Sequence, residues 1–143
     1  MSTGYSGTPL SKKLGYKAGQ RVCAPGAPSN YRKMLAPLPD GIEFQARVTR
    51  STDLVHVFTK SKAEIAKNLV AWLKVLGPDA VIWVSWPKKT SKVPTDITED
   101  TIRAVALPMG LVDSKVCAVD ETWSGLKLVL RRELRPRTGD ASS

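Results

Sequence analysis

Chemistry in this chain gathers around one stretch, WVSWPKKTSKVPTDITED, residues 83–100. An apolar run ending in Trp86 stops at Pro87 and becomes basic at Lys88, Lys89 and Lys92. A lysine ammonium is a compact cation with three N–H donors, so this cluster suits a phosphate. It equally suits a solvated loop that pairs its lysines with Asp96, Glu99 or Asp120. A second group, Asp120 and Glu121 beside Trp123, offers an acid/base pair and a stacking platform. Asp and Ser-Gly are also what hairpin turns use. A third group, Arg131, Arg132 and Arg135 in the tail RRELRPR, is a candidate for nucleic-acid phosphates. Tyr5, Tyr16 and Tyr31 are candidates for stacking on single-stranded bases. His56 lies between Val55 and Val57, where a buried, hydrogen-bonded core histidine is expected.

The bulk composition bounds the partners. The chain has 143 residues, enough for one domain with a real core. It carries 22 Lys and Arg against 13 acids, a formal charge of +9. Residues 1–60 hold nine basic and three acidic side chains, so the excess is uneven. Such a balance favours an anionic small molecule or nucleic acid. No apolar run is long enough for a membrane span, and MSTGYSGTPLSKK has no signal-peptide core, so a cytoplasmic protein is expected. Cys23 and Cys117 fit neither a disulfide scaffold nor a zinc site, and one histidine makes no metal cluster; no metal and no cofactor are expected.

Alternating strands and helices must position these groups. Thr8, Pro9 and Gly15 bracket a short helix in an N-terminal arm, residues 1–20. Strands are predicted at 21–24, 42–48, 54–58, 80–86, 116–119 and 126–130. Ser29 caps a short helix through Tyr31, Met34 and Leu35. Ser61 and Glu64 make a capping box for a longer one, with an apolar stripe of Ile65, Leu69, Leu73 and Leu76 widened by Val70 and Trp72. Thr98 caps a helix that turns Ile102, Val105 and Ala106 inward. DETWSG reads as a hairpin turn, and residues 134–143 as a disordered tail. The pattern argues a single α/β domain, three layers around a mostly parallel six-stranded sheet, with a C-terminal hairpin adding one antiparallel strand.

The segment KKLGYKAGQRV, the run from Leu54 to Trp86 and the closing hairpin resemble a trimmed Rossmann-like methyltransferase fold. Separately, GYSGTPLSKKLG, WVSWPKK and KVCAVDETWSGLKLVLRREL are similar to a family of small, uncharacterised bacterial proteins defined by a domain of unknown function. That second likeness covers residues 4–134 and implies no activity. The methyltransferase likeness implies the strand order second, first, third, fourth, sixth, fifth. It places the WPKK exit and the DETWSG turn side by side on the carboxyl edge of the sheet, where open α/β folds bind ligands. It also puts Cys23 and Cys117 four strand steps apart, about 19 Å, too far for a disulfide. The first turn, Pro25-Gly26-Ala27-Pro28, has a single glycine, and no acid closes the second strand, so the family's methyl-donor pattern is missing. The function expected is a ligand-binding Rossmann-like module without a working methyl-donor site. The alternatives are a basic RNA- or DNA-binding protein, or an enzyme of unassigned chemistry using Asp120, Glu121 and Lys88.

Overall fold

The computed structural model describes residues 8–134, with the Arg132 side chain excepted. One six-stranded sheet runs through it in the order β2-β1-β3-β4-β6-β5. The strands are β1 (Arg21–Cys23), β2 (Glu43–Gln45), β3 (Leu54–Phe58), β4 (Val81–Pro87), β5 (Leu111–Ala118) and β6 (Trp123–Leu130). The first four pair in parallel. β6 is antiparallel to both β4 and β5 and lies between them. This is the order implied by the methyltransferase resemblance.

Centrality explains the strand sequences. Every residue of β3 is buried, and six of the seven in β4 are. A strand covered on both faces reads as a continuous apolar run, as LVHVF and VIWVSWP do. Side chains alternate between the two faces. Val55, Val57, Ile82, Val84 and Trp86 pack with α3 (Lys62–Leu73) and α4 (Glu99–Ala106). Leu54, Phe58 and Trp83 pack with α1 (Leu10–Leu14) and α2 (Tyr31–Leu35). The result is three layers, helices on each side of one sheet.

The helix caps follow the sequence. The Ser61 hydroxyl accepts from the Glu64 amide at 3.2 Å, and that of Thr98 from the Thr101 amide at 3.1 Å. Such caps contribute about 1 kcal/mol each. Ile65 and Leu69 on α3, and Ile102 and Ala106 on α4, are fully buried at a spacing of four. Arg103 on α4 pairs with Glu99, Asp100 and Asp113, tying the helix to β5. α1 is docked rather than loose: the Trp83 indole N–H donates to the Leu14 carbonyl at 2.8 Å, and Gly15 ends the helix at φ +85°.

Several expectations need correction. α3 ends at Leu73, so Leu76 belongs to the turn that follows it. Val70 is exposed and does not widen the stripe. Asn30, not Ser29, precedes α2, and no side chain caps that helix. β2 is three residues long, and β5 begins at Leu111, five residues before the predicted Val116. β5 also contains a register shift between Asp113 and Lys115. The tail expected from residue 134 lies, beyond Leu134, outside the described residues.

Candidate functional site

The loop leaving β4 is braced before it meets solvent. The Lys88 amide donates to the Thr122 carbonyl at 2.7 Å, joining the WPKK exit to the β5–β6 turn. The Ser91 hydroxyl donates to the Lys88 carbonyl at 2.6 Å and accepts from the Val93 amide. A single 3-10 turn, Lys89–Ser91, ends at Lys92 in the left-handed region, φ 61°. That conformation costs an L-residue about 1 kcal/mol, so the surroundings must hold it.

Beside this loop is an open cleft of about 560 Å³. Trp86, Lys88, Lys89 and Lys92 are among its lining residues, with Thr98 and Glu99 at the start of α4, Ser124 of β6 and the loop between Val93 and Ile97. Among the described residues the ion pairs are Arg21 with Glu43, and Arg103 with Glu99, Asp100 and Asp113. None of the three lysines is in one. The acids that were candidates to neutralise them are engaged elsewhere. Glu99 pairs with Arg103, and Asp96 accepts from the Lys62 amide at 2.7 Å. Asp120 Oδ1 accepts from the amides of Thr122 and Trp123 at 2.8 and 2.7 Å.

The six residues expected at this edge therefore divide. Trp86, Lys88 and Lys89 share the cleft. Asp120 is the side-chain clamp of the hairpin turn, a common use of aspartate. Glu121 is exposed on that turn. Trp123 points to the opposite face, edge-on to Phe58 with ring centroids 5.0 Å apart. Strand alternation separates it from Trp86, because Ser124, not Trp123, is the register partner of Trp86.

The nucleic-acid candidates divide too. Arg131 donates to the Leu107 carbonyl at 3.0 Å, fastening the end of β6 to the end of α4. The Arg132 side chain and Arg135 lie outside the described residues, as does Tyr5. Tyr16 and Tyr31 are 6% and 4% exposed, so their rings cannot stack on a base.

Those tyrosines belong to a buried polar chain that the sequence did not disclose. Tyr16 and Tyr31 share a hydroxyl–hydroxyl bond of 2.8 Å. The Tyr31 hydroxyl meets His56 Nδ1 at 2.6 Å, and His56 Nε2 meets the Ser85 hydroxyl at 2.7 Å. Complete burial of His56 pushes its pKa down to about 3, so the ring is neutral, one nitrogen donating and the other accepting. Burial pushes the Tyr16 phenol up to about 12, partly offset by its bond to Tyr31; burial also raises Tyr31. A serine, a histidine and a tyrosine in line invite a nucleophile reading. Ser85 and His56 are 0% exposed, however, so no substrate reaches the hydroxyl. The available signal was polar His56 and Ser85 inside two apolar strands, which require partners.

The turn after β1 is where this fold places a methyl donor. Here the turn is laid on β3. The Phe58 amide donates to the Pro25 carbonyl at 2.9 Å, and a Cβ on Gly26 would meet the Phe58 oxygen at 2.4 Å. Above it, His56 and Phe58 stack at 4.2 Å, with Tyr31 edge-on to both. β2 closes on Gln45, whose amide oxygen accepts from Thr52 at 2.6 Å, not on an acid for ribose hydroxyls. These residues do not fit that group.

No protein-family model matches the chain, and no curated protein does. Solved structures do match in fold. A SAM-dependent methyltransferase from Aquifex aeolicus is 16% identical with a TM-score of 0.59, covering 82% of this chain and 85% of that one. A tRNA methyltransferase from B. subtilis is 11% identical with a TM-score of 0.54, covering 85% and 63%. A ribosomal protein L11 methylase from Lactobacillus delbrueckii subsp. bulgaricus is 11% identical with a TM-score of 0.54, covering 86% and 75%. At these identities the likeness is one of fold: the chain has the Rossmann-like architecture of SAM-dependent methyltransferases.

Proposed function

We propose that the protein is a Rossmann-like binding module that holds a small anion, carrying phosphate or carboxylate, in the cleft of Trp86, Lys88, Lys89 and Lys92, and that it works without a methyl donor. One observation carries this reading: three lysines border one cleft and none has an ion-pair partner among the described residues. Like charges roughly 8 Å apart in water repel by about 0.5 kcal/mol, a cost an anion would remove. The bracing of the loop by Ser91 and Thr122 supports a preformed site, which lowers the ordering cost of binding. Asp120 and Glu121 serve this site through the turn they belong to, whose Thr122 carbonyl fixes Lys88. The kinship with small bacterial proteins and a cytoplasmic location belong to the same reading.

Native mass spectrometry of protein purified from cells, with the double substitution Lys88→Ala/Lys89→Ala as control, tests it. A retained anionic mass lost in the variant is expected. Retention of the same mass by both proteins would overturn the site. Calorimetric titration with S-adenosylmethionine should give no binding heat; micromolar affinity would overturn the second half of the reading.

A further inference from the structure

The two faces of the sheet differ in charge. Residues 8–40 supply α1, α2 and their connections on one face, where Lys12, Lys13, Lys17, Arg32 and Lys33 stand against Asp40; Arg21 of β1 alternates with Val22 to the other face and pairs with Glu43. The α3 and α4 segments on the other face, residues 61–79 and 98–110, balance Lys62, Lys67, Lys74 and Arg103 with Glu64, Asp79, Glu99 and Asp100. The first face therefore has five basic groups against one acid, and the α3 and α4 segments four against four.

Strand register adds to the basic face. Lys115 of β5 and Lys127 of β6 are direct cross-strand partners. Lys127 is the register partner of Trp83, which places it on the α1 side, at a hollow it shares with Leu14, Lys17, Asp53 and Asp79. Like charges directly opposite each other destabilise a strand pair, so folding alone gives no reason for this pairing. Lys12, Lys17, Arg32, Lys33 and Lys115 are exposed, and none is in an ion pair among the described residues. Arg32 lies 4.2 Å above the Phe44 ring, which steadies its guanidinium.

We propose that the α1/α2 face, with Lys115 and Lys127, docks the phosphate backbone of a nucleic acid without reading its bases. Charge complementarity is the argument for this occupant. Cations that need no aromatic platform suffice for backbone contacts, and the two tyrosines of this layer are buried. A lipid surface would demand apolar side chains among the cations. The exposed large apolar residues are Val70, Val75, Leu107, Val116 and Leu134, none of them on α1 or α2. A folded protein partner would require apolar or aromatic anchors at the centre of the patch. The surface is separate from the Lys88 cleft and does not depend on it.

The test is fluorescence anisotropy of the full chain with a labelled single-stranded oligonucleotide of about 20 nucleotides, over a salt series. Two double charge reversals are compared, K12E/K33E on the basic face and K67E/K74E on the balanced face. They change net charge equally, and all four positions are exposed. K12E/K33E should weaken binding at least about tenfold at low salt and flatten the log–log salt slope by about 1.4. K67E/K74E should stay within about twofold of the parent. K12A/K33A, with melting curves for every variant, separates lost contacts from lost fold and should show the same loss in smaller measure. Equal losses in the two reversals, or no binding by the parent at low salt, would overturn the proposal. So would sedimentation with phosphatidylserine vesicles that depends on Lys12 and Lys33 while the oligonucleotide stays unbound.

Discussion

His56 is the one histidine of the chain, which makes its proton linkage measurable in isolation. In the fold its imidazole is fully buried between the Tyr31 and Ser85 hydroxyls, with a pKa pushed down from 6.5 to about 3. In the unfolded chain it titrates at the ordinary value. Between those two values the unfolded state binds a proton that the folded state refuses, so stability must rise with pH across that window. The contribution is complete above the unfolded pKa and drains away as pH falls below it. The limiting slope is about 1.4 kcal/mol per pH unit. Lowering the pH from about 6.5 to about 5 therefore removes about 1.6 kcal/mol, a noticeable share of a total near 5–15 kcal/mol. Carboxylates titrate mainly below that range, so the window belongs to the imidazole. Urea unfolding at closely spaced pH values gives the slope, and proton NMR of the single imidazole gives its folded-state protonation directly. His56→Gln should lower stability yet abolish the slope. An imidazole that titrates between about pH 6 and 7 in the folded protein, or unfolding midpoints that do not move across the window, would falsify the buried-chain account.

Tyr31→Phe removes the hydroxyl that bonds both Tyr16 and His56, and should cost about 2–4 kcal/mol in unfolding free energy, against about 1 kcal/mol for Tyr16→Phe at the end of the chain. Gly26→Ala sets a Cβ 2.4 Å from the Phe58 oxygen at φ +75°, so a loss of about 2 kcal/mol or more is expected; a melting temperature within a degree or so of the parent would contradict it. Lys88→Ala and Lys89→Ala, in a surface loop with no ion pair among the described residues, should leave unfolding within about 0.5 kcal/mol of the parent while reducing anion retention. Cys23 and Cys117 are free and buried, with burial raising both thiol pKa values. Thiol reagent should thus react slowly with native protein and count two thiols once it is denatured under non-reducing conditions.

The strands and helices were legible because their determinants are periodic, whereas the sheet order came from the methyltransferase resemblance. Two mostly apolar buried strands, a capped helix between them and a closing hairpin are consistent with that order and with right-handed crossovers. β5 was legible only in part. Its first residues, Leu111 to Ser114, mix Asp113 and Ser114 with apolar neighbours because the register shift breaks the alternation. Asp113 also faces Arg103 instead of solvent, which no strand pattern announces. At the candidate site, Trp86 and the lysines could be placed from the strand exit alone. The fate of Asp120 could not, since a clamp on turn amides and a catalytic carboxylate have the same sequence. The tyrosines went wrong for a related reason: exposure of a ring is decided by what covers it, and His56 lies 25 residues beyond Tyr31.

The register shift in β5 bears on how these molecules behave in a crowd. β5 is the last strand of the sheet on its side, and the outward edge of such a strand offers unsatisfied amides and carbonyls to any passing chain. A regular eight-residue edge would be an open invitation to grow the sheet from one molecule into the next. The shift at Asp113 and Lys115 twists that edge and breaks the even spacing an incoming strand needs. Exposed Lys115 then adds like-charge repulsion against a second copy arriving at the same place. Straightening this strand by deleting Ser114 would remove the irregularity and is expected to increase edge-to-edge association over the parent, visible as light scattering that rises more steeply with concentration.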